Sequence, residues 1–359
     1  MLRTCWLPYG QIPRATRTTV IASTRRCSSA LSTLAPLRVP DSRWSGWTPK
    51  IGIELHVQLK HNLKLFSRAL AQYDARPNSH VALIDAAFPG SLPVLRPESV
   101  RLALLACLAF ECDINRASTF DRKHYFYPDQ PAGYQITQKY APLAKGGVIR
   151  VQLEQPQSKK KKKKSKQDSG QVTERDGGPE PKPRTYLEVR LDQVQLEQDT
   201  AKSFHDPDSN GTLVDLNRCG AALIEIVTLP DLSTPEEAGQ FVKTIQQILR
   251  HVGVSDANMD KGELRVDVNV SVTNDETGLG GTRCEIKNLN GVRFVVGAIE
   301  SEIQRQISLL STDPPTPVVQ STLGYDAVED KTFVLRTKES AVDYRYMPDP
   351  ELGVVRIPE

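Results

Sequence analysis

Alternation with a period of two runs through several segments of the chain. From Ile51 to Leu59 the odd positions are Ile51, Ile53, Leu55, Val57 and Leu59, and the even ones are Gly52, Glu54, His56 and Gln58. In a strand this puts the aliphatics on one face and Glu54, His56 and Gln58 on the other. The segment 264–272 repeats the pattern, with Leu264, Val266, Val268, Val270 and Val272 on one face and Arg265, Asp267, Asn269 and Ser271 on the other. In 282–287, Arg283, Glu285 and Lys287 share a face. Glu225 interrupts the aliphatic run 222–227, where a lone carboxylate is costly to bury without a partner.

Two segments carry helical spacing instead. Thr234-Pro235-Glu236-Glu237 is a capping box with proline at the first helical position. Phe241, Val242, Ile245, Ile248, Leu249 and Val252 follow as an apolar stripe, and Gly253 supplies a stop. A second helix is predicted after Asn290, burying Phe294, Val295, Ala298, Ile299 and Ile303. Strands outnumber helices without regular alternation, which points to an α+β fold with a largely antiparallel sheet and flanking helices. Gly278-Leu279-Gly280-Gly281 reads as a hairpin turn.

Composition divides the chain further. Residues 1–40 contain six Arg, many Ser and Thr, and no Asp or Glu, with scattered apolar residues. That is the composition of a mitochondrial or plastid transit peptide, the alternative being a disordered N-terminus. The Lys-rich stretch from Lys159 to Lys166 opens a Gly/Pro-rich segment that reads as a solvated loop or, alternatively, an RNA contact. The expected organisation is a leader over 1–48, a globular domain in two parts (49–155 and 185–359), and an insert over 156–184. The formal net charge of +3 conceals a basic leader, a basic insert and an acidic remainder. A uniformly basic, nucleic-acid-coating surface is not expected, and any nucleic-acid contact must come from local patches. No run approaches eighteen apolar residues, so membrane insertion is not expected. The six cysteines form no C-x-x-C pair and read as free thiols.

Glu54, His56, Asp267 and Glu285, with Glu225 as a fifth, place several carboxylates and one imidazole on sheet surfaces. Such a set suits a hard divalent cation, and carboxylate oxygens match Mg²⁺. Any one of these faces alone is equally an ordinary solvated face. The stretch 120–138 interleaves Arg122, Lys123 and His124 with Tyr125, Phe126, Tyr127 and Tyr134. It is either a loop that holds phosphate by charge and a base by stacking, or a Pro-rich turn with inward aromatics. The P-loop, the G-x-S-x-G elbow, H-E-x-x-H and zinc-knuckle spacing are all absent from the sequence.

Taken together, these motifs resemble the B-subunit family of glutamyl/aspartyl-tRNA amidotransferases. The resemblance rests on 51–59, 121–129, 133–138, 213–218 with 223–227, 262–267, 284–290 and 343–350, in order along 51–359. It implies a catalytic cradle domain of the glutamine synthetase/guanidino-kinase type. It also implies conversion of Glu-tRNA(Gln) to Gln-tRNA(Gln) in the mitochondrial matrix. In that reaction ATP and Mg²⁺ serve to phosphorylate the glutamyl γ-carboxylate. Ammonia from the glutaminase A-subunit then displaces phosphate, with the small C-subunit completing a heterotrimer. The alternatives are a catalytically weak scaffold in the same complex and a stand-alone Mg²⁺-dependent carboxylate kinase.

The resemblance also implies residue roles. Glu54, His56, Gln198, Glu225, Asp267 and Glu285 are the expected metal ligands. Lys123, Arg218 and Lys287 are the expected nucleotide contacts. Lys123 and Tyr125 join Glu54, His56, Asp267 and Glu285 as catalytic, with Lys123, His124 and Tyr125 near the ammonia path. Two departures stand out. The family's Glu-Glu-Asp is Glu197-Gln198-Asp199 here, so an amide is matched to a carboxylate ligand. A Cys pair carried by some members is Ala82 and Asp85 here, so zinc is not expected. The family's helical and tail domains lie beyond the matched region, so autonomous tRNA binding by this chain is not expected.

Overall fold

A computed structural model describes residues 41–153, 186–337 and 343–358. In chain order its elements begin with a 3₁₀ turn (Ser42–Trp44), β1 (Trp47–Gln58), α1 (Pro97–Ala109), β2 (Asp113–Ile114) and β3 (Ala117–Ser118). Then come β4 (Asp121–His124), β5 (Tyr134–Thr137), β6 (Ala144–Lys145), β7 (Val148–Gln152), β8 (Tyr186–Gln198), β9 (Lys202–Asp206), β10 (Gly211–Asp215) and β11 (Ala222–Thr228). The remainder is α2 (Pro235–His251), β12 (Leu264–Asn274), β13 (Cys284–Leu289), α3 (Val292–Leu310), β14 (Ser321–Asp326), β15 (Lys331–Thr337), β16 (Met347–Pro348) and β17 (Val355–Arg356). Among the described residues, the main sheet runs β15-β14-β13-β12-β1-β11-β8-β6-β2, with β7 also paired to β8. Every pairing in it is antiparallel except β13 with β14. A parallel pair needs a crossover, and α3 supplies it.

The aliphatic faces predicted from alternation form the core. Ile51, Ile53, Leu55 and Val57 of β1, and Leu264, Val266, Val268, Val270 and Val272 of β12, are almost fully buried. They share one cluster with Phe241, Ile245 and Leu249 of α2 and Val295, Ile299 and Ile303 of α3. Each such side chain contributes roughly 1.5–3 kcal/mol by leaving water. The capping box is formed in full: Glu237 N donates to Thr234 Oγ1, and Glu237 Oε2 accepts from Thr234 N. In α3 the expected core residues are buried except Phe294, which is half-buried against the cluster. Gly278 sits at φ +69° in the turn joining β12 to β13, as its sequence predicts.

Several expectations need correcting. The fold starts before residue 49: Trp44 is buried in the core, and Arg43 pairs with Glu236 of α2 and Glu300 of α3. A large aromatic side chain and a guanidinium tie the segment 42–48 to both helices, so it is not leader. The rest of the expected leader, residues 1–40, lies outside the described residues. The whole insert, 156–184, lies outside them too; the strands that flank it, β7 and β8, pair with each other. The helix α1 carries apolar residues on nearly every side, so no stripe announces it. The basic segment 121–124 is a strand, not a loop, sandwiched between β5 and β16. No helix among the described residues is long and apolar enough to cross a membrane.

A buried ion pair pins the segment 82–87. Lys64 Nζ donates to Asp85 Oδ2 at 2.7 Å and to Leu216 O at 3.1 Å, with Lys64 fully enclosed. Gly220 passes against it at φ +82°, where a Cβ would come within 2.9 Å of Asp85 Oδ1. Asp85, which the resemblance matches to a cysteine position, has its carboxylate paired with an internal ammonium.

Candidate active site on the polar face of the sheet

The register gathers the polar faces. β1 lies between β12 and β11, so Glu54 stands opposite Asp267 and His56 opposite both Arg265 and Glu225. Glu225 in turn faces Gln195 on β8, and Asn269 faces Glu285 on β13. Directly opposed residues in antiparallel strands point to the same side. A cavity of about 460 Å³ opens there, lined by Glu54, His56, Lys123, Glu225, Glu285 and Lys287, among others.

Two clusters of charge lie on this face. In the first, His56, Glu197 and Glu225 bring their ligand atoms within 4.8 Å of one another. His56 Nε2 is 3.7 Å from Glu197 Oε1. Gln135 Nε2 donates to Glu197 Oε1 at 2.7 Å, and Gln195 Nε2 donates to Glu225 Oε2 at 2.6 Å. Burial raises the pKa of Glu197, and the charge of Glu225 raises it further. Burial also raises Glu225, with Glu54 adding to the shift and Lys123 opposing it. Burial lowers His56 despite neighbouring Glu197, which favours the neutral imidazole that can act as a ligand.

The second cluster is Glu54, Asp267, Glu285 and Lys287. Lys287 Nζ donates to Asp267 Oδ2 and to Glu285 Oε1, each at 2.9 Å. Asn269 Nδ2 donates to Glu54 Oε1 at 3.1 Å. Asn288, at φ +63°, sits where the β12–β13 register shifts and turns its N–H onto Asp267 Oδ1 at 3.1 Å. Burial raises Glu54, and Glu285 raises it further. Burial opposes the ammonium of Lys287, but Asp267 and Glu285 outweigh it and the net shift is upward.

Over these clusters lies a strap from the chain's last described segment. His124 N donates to Tyr344 O at 2.8 Å, and Lys123 Nζ sits 4.9 Å from the centre of the Tyr344 ring. Burial opposes the charge of Lys123, yet Glu197 and Glu225 hold its pKa above the usual lysine value. Tyr125 packs edge-on to Tyr344 and is pushed upward by burial and then by Asp129, Glu197 and Asp199. Phe126 and Tyr127 are exposed, so the aromatics of this stretch do not all pack inward. The strap is anchored by Arg122, whose Nε donates to Asp349 Oδ2 at 2.7 Å and whose guanidinium stacks on Tyr134.

Two sequence-predicted residues fall elsewhere. Gln198 lies on the opposite side of β8 from Glu197 and lines a different cavity with Phe66 and Cys219. A one-residue offset in a strand reverses the side chain, so the amide is withdrawn from the donor set and Glu197 takes its place. Arg218 lines a neighbouring cavity of about 380 Å³ rather than this one. Its guanidinium donates to Thr200 O at 2.9 Å and Ala201 O at 2.7 Å, so it is held outside the cavity that gathers the carboxylates. Sequence reasoning missed Glu197 and Asp199, whose carboxylate accepts from Arg265 at 2.9 Å. The signal was present: Gln193, Gln195, Glu197 and Asp199 alternate with Val194 and Leu196.

The donor chemistry fits a hard divalent cation. Crowded, buried carboxylates beside an imidazole whose neutral form is favoured are held near one point, with Lys123 as the cation over them. A sequence profile described as the GatB/GatE catalytic domain matches residues 49–359. The chain belongs to this family. Among GatB relatives, the B-subunit of the mitochondrial glutamyl-tRNA(Gln) amidotransferase of Laccaria bicolor is 47% identical over 348 residues, covering 94% of this chain and 60% of that protein. The protein of the same name from Cryptococcus neoformans is 49% identical over 312 residues, covering 87% and 54%. The B-subunit of the aspartyl/glutamyl-tRNA(Asn/Gln) amidotransferase of Orientia tsutsugamushi is 43% identical over 306 residues, covering 85% and 57%. The chain thus spans between half and three-fifths of the length of the curated GatB relatives it matches.

Proposed function

We propose that this chain carries the carboxylate-activating site of a mitochondrial tRNA-dependent amidotransferase. The substrate would be Glu-tRNA(Gln), and the product Gln-tRNA(Gln). The glutamyl γ-carboxylate attacks the terminal phosphorus of ATP and ADP departs. Ammonia then attacks the acyl carbon and phosphate departs. Activation is required because an ionised carboxylate is a poor electrophile with no usable leaving group. The relatives' names and the acid-free leader support a mitochondrial location, with the matrix as the compartment where such a substrate is made.

The observation that carries this reading is the convergence of His56, Glu197 and Glu225 within 4.8 Å, beside Glu54, Asp267 and Glu285. These residues would hold Mg²⁺, which when bound neutralises and orients a phosphoryl group. Lys123 stands over the same carboxylates and suits the incoming γ-carboxylate. Tyr344, which lines the cavity, would restrict water there. A polar, carboxylate-bearing face on an antiparallel sheet also supports kinship with the glutamine synthetase/guanidino-kinase type of fold. The reading further implies two partners, a glutaminase A-subunit and a small C-subunit. One of the two grounds for a weak scaffold was Gln198; because that side chain faces another cavity, its amide removes no charge from the donor set.

The test is reconstitution with the glutaminase and the small partner, glutamine, ATP and Glu-tRNA(Gln). Glu54→Ala and Asp267→Ala should abolish Gln-tRNA formation while glutamine hydrolysis persists. Full transamidation by both variants would overturn the assignment.

A further inference from the structure

The cavity has a basic end that the site described above does not use. Its lining includes Arg283, just before β13, and Arg336, on β15, together with Gln320, Ser321 and Thr322. Thr322 stands opposite Glu285 on one side and Arg336 on the other, so the three form one row across β13, β14 and β15. Arg283 precedes Glu285 by two residues and lies on the same face. Glu285 pairs with Lys287 at 2.9 Å, and among the described residues it makes no ion pair with either arginine. Among the described residues, Arg283 has no carboxylate within ion-pair distance, and Arg336 makes a single 3.4 Å contact to Thr322 Oγ1. Most other arginines near the site are committed: Arg122 to Asp349, Arg265 to Asp199, and Arg218 to backbone carbonyls.

We propose that Arg283 and Arg336 form the anion-receiving end of this cavity and hold the phosphate chain of a nucleoside triphosphate. The inference rests on the carboxylate-activating reading and adds the residues that would orient its nucleotide. Guanidinium forks suit phosphate oxygens in pairs, and two uncommitted forks beside a carboxylate cluster match a ligand that is itself both polyanionic and cation-bound. A triphosphate has that character. A single RNA phosphodiester offers one charge and no reason for the adjoining acidic cluster. Arg283 is exposed and Arg336 half-buried, so neither is a structural core residue.

The test measures equilibrium binding of the non-hydrolysable ATP analogue AMP-PNP with Mg²⁺, of adenosine, and of a short single-stranded RNA to the full chain. Arg283→Gln and Arg336→Gln should each weaken AMP-PNP about tenfold, with a larger loss in the double variant. Adenosine affinity and thermal midpoint should stay unchanged, and Arg283→Lys should recover part of the loss. Variants that bind AMP-PNP as the wild type does, or that lose only RNA, overturn this proposal while leaving the activation reading in place. A wild-type chain that does not bind Mg²⁺–AMP-PNP overturns both.

Discussion

His56 on β1 and Glu197 on β8 approach to 3.7 Å across an intervening strand, β11, that contributes Glu225 between them. Three strands thus supply one ligand-capable group each to a single point. The arrangement is costly for the fold without a cation, because burial and mutual repulsion both disfavour ionised Glu197 and Glu225. That cost makes the site experimentally visible.

Glu197→Gln keeps the acceptor for Gln135 but removes one charge. In chelator, the variant should be more stable than wild type by about 1 kcal/mol, which a protein of this size registers as roughly 1–2 °C. With Mg²⁺ added, wild type should gain stability and the variant should gain little. Thermal scans with and without the ion check both halves.

The pH dependence follows from the same shifts. Glu54, Glu197 and Glu225 have folded-state pKa values raised above the ordinary carboxyl value of 4.5. The folded state therefore binds protons more tightly, and these groups favour folding below 4.5. Their contribution declines as pH rises from 4.5 through the raised values, and is flat beyond them. Urea midpoints of wild type and of Glu225→Gln across that window should converge at the acid end. The variant should be the more stable at neutral pH. The opposite slope would refute the charge-crowding account.

Gln198→Ala should leave divalent-ion affinity within about twofold of wild type, whereas Glu197→Ala should lower it at least tenfold. Calorimetric titration with Mn²⁺ as a Mg²⁺ surrogate distinguishes the two. Equal losses would mean that β8 presents its other face to the site.

Lys64→Met leaves Asp85 buried without its ammonium and should cost about 3–5 kcal/mol. The double variant Lys64→Met/Asp85→Asn should recover most of that. Denaturant unfolding of the two single variants and the double one completes the cycle.

Trp44→Ala should cost about 3–5 kcal/mol, because the indole is only 5% exposed in the core. Tryptophan emission of the folded chain should be shifted to shorter wavelength and should move to the red on unfolding.

Much of this was legible in the sequence, and what was not has physical causes. β1 and β12 each lie between two partners, so their alternation is clean, and Glu54, His56 and Asp267 stand out against aliphatic positions. β8 alternates as well, yet matching by motif position pointed to Gln198, although period two selects Glu197. The helix α1 is hidden because Leu104, Leu105 and Leu108 lie off its buried side, where Leu102, Ala103 and Ala106 sit. The strand β4 is hidden because one of its partners, β16, lies more than two hundred residues away. The convergence itself depends on the strand order β12-β1-β11-β8, a non-local property that no local pattern contains.

The most direct measurement traps the activated carboxyl group. The reconstituted complex, given Glu-tRNA(Gln), Mg²⁺, ATP and hydroxylamine without glutamine, should release ADP and form the γ-glutamyl hydroxamate. Neither product should appear with Glu54→Ala or Glu225→Ala. Hydroxamate formation without ATP, or at the wild-type rate in both variants, would contradict carboxylate activation at this face of the sheet.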